Sequence, residues 1–261
     1  MVKSKCLLIK IVGINLFQSL DCPQMPTTAY TVICTQNKQI ADGVHEIRLS
    51  KPAGFRFSAG QFVLFQVPDS SNPADFQPRA YSIASAPEEN ELKFCVRIVP
   101  EGRAGRWFSN VLKESSEVEM QGPMGNFILN KNNPKGFLFT ATGVGISPFR
   151  SQVLDLLSSG EKRPIDLVWC TYNEKTFFWT DEFSALAEKY KNFNFHLTLS
   201  EPPADWKGLR GRVQQVIPKI KGFNEKQIYI CGNPAMTSDV KKLCLEEWGF
   251  AKTDVHIEGY I

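Results

Sequence analysis

The chain has 261 residues and seven cysteines, Cys6, Cys22, Cys34, Cys95, Cys170, Cys231 and Cys244, yet no two of them stand at C-x-x-C spacing. That absence excludes a zinc ribbon, a self-contained iron–sulfur cluster and a dense disulfide scaffold, which all need closely bunched ligands or partners. The odd, scattered set suits a reducing compartment, so a cytoplasmic location is expected. Histidine is scarce too: His45, His196 and His256 are the only three, at separate strand-like positions where packing accounts for them, and no metal site is expected. A strong charge of either sign is missing. The net +3 is too weak to argue for nucleic acid, although a mildly basic surface suits an acidic protein partner. Finally, the apolar segment CLLIKIVGINLF near the N-terminus is broken by Lys10 and Asn15, is too short to span a bilayer and is followed by no small-x-small cleavage site. Residues 1–27 are expected to be an extension ahead of the fold, with Met25 as an alternative start and a weak export signal as the competing reading. No stable membrane insertion is expected.

Hydrophobic residues make up 43% and charged residues 22% of the chain, which is ordinary for a soluble globular protein of one large or two average domains. From Ala29 to Gln121 short strand-like runs alternate with turn chemistry. YTVICTQN, VHEIRLS, FVLFQV, RAYSIAS, ELKFCVRIV and SEVEMQG are separated by stretches such as KPAG, PDSSNP and APEEN. Six short strands at this spacing predict a small antiparallel β-barrel. After NKNNPKG the rhythm changes. FLFTA, IDLVWCT, FNFHLTL, QIYIC and VHIEG are buried-strand runs, and helical segments lie between them, FRSQVLDLLSSG, TDEFSALAEKY, VQQVIPKI and AMTSDVKKLCLEEWG. Such alternation predicts a doubly wound α/β parallel sheet. Two domains follow, a barrel over 28–131 and an α/β domain over 132–261, with the connection near Lys131–Lys135.

Several stretches carry chemistry beyond packing. TATGVGISPFRS follows a strand and opens a helix, so Gly143 and Gly145 permit close backbone approach and the helix start offers N–H groups to a pyrophosphate. Pro148 falls in the first turn, where its missing N–H costs little. CGNPAM, residues 231 to 236, sits at the carboxyl end of a strand, where open α/β sheets bind ligands. EGRAGRWFSNVL supplies a glycine turn and a short helix start suited to a second anion. GPMGNF closes the barrel region. A purely structural turn or a buried core thiol is the alternative for each taken alone. RAYSIASAP, residues 79 to 87, is the least expected as packing, because a barrel strand needs no arginine.

Taken together, the Arg-x-Tyr-Ser strand, G-x-G-x-x-P and C-G-x-P-x-M, in that order on these two predicted domains, resemble the ferredoxin–NADP reductase superfamily in its single-chain form without an iron–sulfur domain. The resemblance covers Tyr30 to the C-terminus. It implies an FAD-dependent NAD(P)H oxidoreductase that passes a hydride between nicotinamide and flavin N5 and single electrons to or from a separate acceptor. By that resemblance Arg79, with Ala80, holds the FAD pyrophosphate, Tyr81 lies against the flavin and Ser82 sits near N5. Arg97, Ile98 and Val99 match the next flavin-contacting strand, and Gly105, Arg106 and Trp107 the second phosphate turn. Thr142, Gly143 and Gly145 would hold the nicotinamide dinucleotide, with Cys231, Gly232 and Met236 beside it. Glu258 and Tyr260 resemble the family's C-terminal Glu-x-aromatic pair, although Ile261 follows. Glu174 and Glu201 would repel a 2′-phosphate, which favours NADH over NADPH. The implied acceptor is ferredoxin, flavodoxin or an oxygenase ferredoxin. A free-flavin or quinone reductase, or a flavoprotein electron-transfer subunit of a larger complex, are the alternatives. Trp169 and Trp179 are expected in the core, and WKGLRGRV as a turn into a helix.

Overall fold

A computed structural model describes residues 28–259 apart from 70 and 73. The first half forms a six-stranded antiparallel sheet from β1 (Ala29–Ala41), β2 (Val44–Ser50), β3 (Phe62–Pro68), β4 (Phe76–Ser82), β5 (Glu91–Arg97) and β6 (Glu117–Met124). Its order is β4-β3-β6-β1-β2-β5. The ends of that order come together where Ala84 N–H donates to Lys93 O at 2.7 Å and Lys93 N–H to Ser85 Oγ at 3.1 Å, closing the sheet into a barrel. Period-2 alternation, as in β3 with Val63, Phe65 and Val67 all fully buried, fills the interior. Phe65 is the hub, with Phe94 at 4.9 Å, Trp107 and Phe108 at 6.3 Å, and Tyr81 stacked at 5.2 Å.

β4 starts three residues before the expected RAYSIAS run and stops at Ser82. The reason is the closure itself: past Ser82 the chain leaves β3, and Ala84 and Ser85 turn their hydrogen bonds to β5. The expected glycine turn and short helix appear as α1 (Arg103–Arg106), continued by a π turn at Trp107–Val111.

The second half is a parallel sheet of β7 (Phe137–Thr142), β8 (Ile165–Thr171), β9 (Phe193–Leu199), β10 (Leu209–Arg210), β11 (Gln227–Gly232) and β12 (Val255–Gly259), in the order β10-β9-β8-β7-β11-β12. α2 (Ser147–Ser158) and α3 (Thr180–Lys189) cover one face through Phe149, Val153, Leu156 and Phe183. α4 (Val213–Val216) and α5 (Pro234–Glu246) cover the other through Val213, Val216, Val240 and Cys244. The helix expected over 213–220 is cut to four residues and followed by a 3-10 turn at Ile217–Lys219. Pro218 supplies no N–H and cannot continue the ladder. β10 was not expected, since two residues flanked by glycines carry no strand period.

The two halves share one apolar cluster. Val44, Cys95 and Phe127 of the first pack with Phe139, Phe149 and Tyr229 of the second. Among the described residues no helix is long and apolar enough to cross a membrane.

Candidate functional site

The strand order reverses between β7 and β11, because β8, β9 and β10 extend to one side of β7 and β12 to the other. In an open α/β sheet such a switch point leaves a crevice beyond the carboxyl ends of the two strands. Both glycine motifs fall there. β7 runs into a 3-10 turn at Gly143–Ile146 that leads directly into α2, with Pro148 in its first turn. β11 ends in Cys231 and Gly232, and Asn233 caps α5 by accepting from the N–H groups of Ala235 and Met236 at 2.9 and 3.4 Å. The two loops touch: a Cβ on Gly145 would stand 2.5 Å from Cys231 O and 2.6 Å from the Gly232 Cα. Asn233 N–H donates to Thr142 Oγ1 at 3.1 Å, tying the loop ends together. Gly143 O accepts from Trp169 Nε1 at 2.9 Å, so a tryptophan expected only in the core also fixes the nucleotide-type loop.

Next to this crevice lies the end of β4. Ser82 is 5% exposed and its hydroxyl donates to Glu258 Oε2 at 3.0 Å, across 176 residues of sequence. Glu258 is the β12 partner of Cys231. Ser82 from the barrel and Cys231 and Glu258 from the parallel sheet therefore come together. Burial pushes the Glu258 carboxyl up to about 7, against the smaller opposing pull of the Ser82 hydrogen bond. Cys231 is fully buried at this edge. Tyr260 lies outside the described residues.

Along β4, Arg79 and Tyr81 share one face. Tyr81 stacks on Phe65 and meets Phe108 edge-on at 5.3 Å, and burial drives its phenol up to about 12. Arg79 is exposed, held only locally by Gln77 Oε1 at 2.6 Å and Pro78 O at 2.9 Å. Ala80 is exposed beside it. Arg97 closes β5 in an exposed position, Ile98 N–H donates to Gly43 O at 2.8 Å, and Val99 is 56% exposed. The chain then folds back so closely that a Cβ on Gly105 would collide with Val99 O. Arg106 donates to Glu101 O at 2.6 Å, while Arg103 is already committed to Asp75 at 2.7 Å and Asp69 at 3.3 Å. The Trp107 side chain is 6% exposed and belongs to the barrel interior, which leaves only its backbone for a ligand. Met236, at 8% exposure, lies in the first turn of α5 and is likewise part of the core.

At the ends of β8 and β9, the Tyr172 hydroxyl bonds the Glu201 carboxylate, which raises the phenol's pKa. Arg210, a cation near these strand ends, donates to the carbonyls of Pro203, Ala204 and Trp206 at 2.7–3.0 Å. The histidines behave as packing residues in two cases: His45 meets Asn37 at 2.8 Å and His196 meets Asp166 at 2.8 Å. His256 stacks on Tyr229 at 4.3 Å. Among the described residues no cluster of His, Cys, Asp and Glu is built to hold a metal.

Sequence reasoning missed one set of residues at the junction, Arg150, Glu46, Glu89 and Trp179. Glu46 is 4% exposed and accepts from Trp179 Nε1 at 2.7 Å, across the junction between barrel and parallel sheet. Trp179 has a left-handed backbone (φ 54°) at this junction.

Comparison with known proteins finds both halves of the chain in known families. Residues 29–128 match the oxidoreductase FAD-binding domain family and residues 139–242 the oxidoreductase NAD-binding domain family. The chain is 32% identical over 226 residues to ferredoxin–NADP reductase B of Sorangium cellulosum, covering 83% of this chain and 91% of that one. It is 32% identical over 223 residues to the reductase component of phenol 2-monooxygenase from Pseudomonas sp. (strain CF600), of which it spans 61%. The fold matches a ferredoxin–NADP+ reductase from Neisseria gonorrhoeae, solved with FAD and NADP, at a TM-score of 0.77 and 22% identity, covering 88% of this chain and 98% of that one.

Proposed function

The chain belongs to the ferredoxin–NADP reductase superfamily, and from that membership we propose that it is an FAD-dependent NAD(P)H oxidoreductase that delivers electrons to a separate redox protein such as a ferredoxin or flavodoxin. The observation that carries the reading is the meeting of Ser82 with Glu258 beside Cys231, at the sheet's switch point. Nothing in barrel packing calls for a half-buried carboxyl there.

The residues present fit FAD. Arg79 offers an exposed guanidinium suited to a pyrophosphate, Tyr81 a fixed aromatic face, and the Val99–Gly105 turn a backbone folded so tightly that only glycine fits at 105. Arg97 and Arg106 flank that turn. Bound there, FAD supplies a group that takes two electrons from nicotinamide as a hydride and gives them up singly. Every other task falls to the chain. Thr142, Gly143 and Gly145 hold the dinucleotide against the start of α2. Cys231 and Gly232 would bring the backbone close to the nicotinamide, and Ser82 would offer its hydroxyl to the flavin. Glu258, held near neutrality by burial, keeps or yields a proton on the Ser82 side of the pocket. The protein's contribution is orientation and exclusion of water.

NADH is the favoured donor in this reading. Glu201 and Glu174 present carboxylates where a 2′-phosphate would lie, and Arg210 is occupied by three carbonyls. The division into a flavin domain over 28–131 and a nucleotide domain over 132–261 belongs to the same reading, as does a cytoplasmic setting, supported by the buried thiols of Cys34, Cys95, Cys170 and Cys244. The test is a visible spectrum of the purified protein followed by anaerobic addition of NADH or NADPH. A yellow protein bleached faster by NADH, and reoxidised by added ferredoxin or flavodoxin, supports the whole reading. A protein that FAD cannot reconstitute overturns it.

A further inference from the structure

Arg150 lies in the first turn of α2, immediately behind the Gly143–Ile146 loop, and is 3% exposed. All five of its N–H donors are engaged. Nη1 donates to Ala84 O at 2.8 Å and to Glu89 Oε2 at 2.8 Å. Nη2 donates to Glu89 Oε1 at 3.2 Å and Glu182 Oε1 at 2.6 Å, and Nε to Glu182 Oε2 at 2.9 Å. Ala84 and Glu89 belong to the barrel half, whereas Glu182 is on α3 of Arg150's own half. Trp179 lies beneath the guanidinium, 5.5 Å from its ring centre.

Filling space does not explain such a residue. A buried guanidinium between two carboxylates carries a large desolvation cost, and an apolar side chain of similar volume commonly serves stability as well. What an apolar side chain lacks is direction. The fork of Arg150 grips a backbone carbonyl two residues beyond Ser82, in the same run of chain, while its own backbone follows directly on the loop that touches Cys231. The gripped segment is held from the barrel side as well. Lys51 Nζ donates to Pro87 O at 2.5 Å and Glu89 O at 3.1 Å, and Ala86 N–H donates to Glu89 Oε2 at 2.5 Å. The segment 84–89 is thus stiff, so a shift of Arg150 is passed along the chain to Ser82 rather than absorbed.

We propose that Arg150 is a positioning residue that fastens the Ser82-bearing strand to the nucleotide-binding helix and thereby sets the separation at which nicotinamide meets flavin. This rests on the oxidoreductase reading above. In the step concerned, the nicotinamide C4–H bond breaks and its hydrogen and electron pair pass together to the flavin. No proton or further reactant is required of Arg150.

The test uses the full chain loaded with FAD, as Arg150→Lys, Glu89→Gln and Glu182→Gln. Two measurements are made: single-turnover reduction by NADH and by its C4-deuterated form, and amide hydrogen exchange of the resting protein without nucleotide. Arg150→Lys is expected to retain FAD and bind nucleotide within about twofold, yet to slow the hydride step on the order of 10–100-fold, with the deuterium effect fully expressed. Exchange should quicken at residues 82–89 and not in β1 and β2. Glu89→Gln, which weakens the cross-domain arm but leaves the Ala84 O contact, should produce both changes in the same direction at smaller size. Glu182→Gln, which cuts the arm within one domain, should slow the hydride step by less than about threefold. Unchanged hydride transfer in Arg150→Lys, or equal slowing in Glu182→Gln and Glu89→Gln, overturns the proposal. Quickened exchange throughout together with loss of FAD also overturns it, because that marks a merely structural role. Should Arg150→Lys not fold, the two glutamine variants decide. Should the unsubstituted protein take no FAD, the oxidoreductase reading fails separately, and exchange at residues 82–89 still tells whether Arg150 fastens that strand.

Discussion

Replacing Glu258 by glutamine should change how the stability of this protein depends on pH. A glutamate side chain ordinarily titrates at 4.5, and burial at the Ser82 junction raises that of Glu258 to about 7. Between these values the folded chain holds a proton that the unfolded chain has released. The folded state is therefore favoured fully below about pH 4.5, and that advantage is lost as pH rises through about 7. At about 1.4 kcal/mol for each tenfold change in proton affinity, the loss amounts to about 3 kcal/mol. Glutamine keeps the shape and cannot titrate. The assay is denaturant unfolding of the parent and Glu258→Gln, both saturated with FAD, at intervals from pH 4.5 to 8.5. All other groups cancel in the difference, which should move by about 3 kcal/mol in favour of the variant as pH rises. Ser82→Ala should shift that window to still higher pH, because the Ser82 hydrogen bond pulls the pKa down. Flavin reduction by NADH is expected to show an inflection near pH 7 in the parent and none in Glu258→Gln. A difference curve that stays flat across the range would refute the burial argument, and with it the assignment of a neutral carboxyl to this pocket.

Arg79→Ala should weaken FAD retention roughly 10–100-fold while shifting the stability of FAD-free protein by less than about 0.5 kcal/mol, since its present contacts are local and exposed; an FAD titration that matches the parent would remove Arg79 from the cradle. Gly145→Ala should cost about 1–3 kcal/mol in thermal unfolding and weaken nucleotide binding, because its Cβ would meet Cys231 O at 2.5 Å; a variant as stable as the parent would show that the two loops are not held in contact. Glu201→Arg should move the ratio of kcat/KM for NADH over NADPH by about 10–100-fold toward NADPH, measured with the two nucleotides in parallel. An unchanged ratio would place the 2′-position away from Tyr172 and Glu201.

Features that depend on local backbone chemistry were legible in the sequence. The β-strands of the parallel sheet other than β10, the Pro148 position and the glycine turns of the switch point follow from runs of buried residues and from the torsions glycine permits. IDLVWCT and FNFHLTL become β8 and β9 with the expected ends. What could not be read were pairings across long separations. Nothing near Glu46 in sequence announces Trp179, 133 residues away, and Arg150 on a helix reads as a solvent-facing cation until Ala84 O and Glu89 are placed against it. The end of β4 was misjudged for the same reason. Propensity favours continuing through Ile83 and Ala84, and only barrel closure onto Lys93 turns the chain away at Ser82.

That early end of β4 explains why two cross-domain contacts are needed. If the strand ran on to Ser85, the ladder with β3 would fix its direction and the second domain could attach anywhere along it. Because the ladder stops at Ser82, the chain beyond is oriented only by whatever it next bonds. Ser82 is held by Glu258 from β12, and Ala84 by Arg150 from α2. The barrel already holds this segment through Ala84, Ser85 and Lys51; the two contacts on neighbouring residues, reaching different elements of one sheet, fix its line relative to that sheet. Glu258 and Arg150 also sit on opposite sides of the β7–β11 switch point, since β12 pairs with β11 and α2 follows β7. The crevice to which the proposed function assigns nicotinamide is therefore framed by the two contacts that orient the Ser82-bearing strand. Angular error in docking the domains is suppressed where hydride transfer is most sensitive to it.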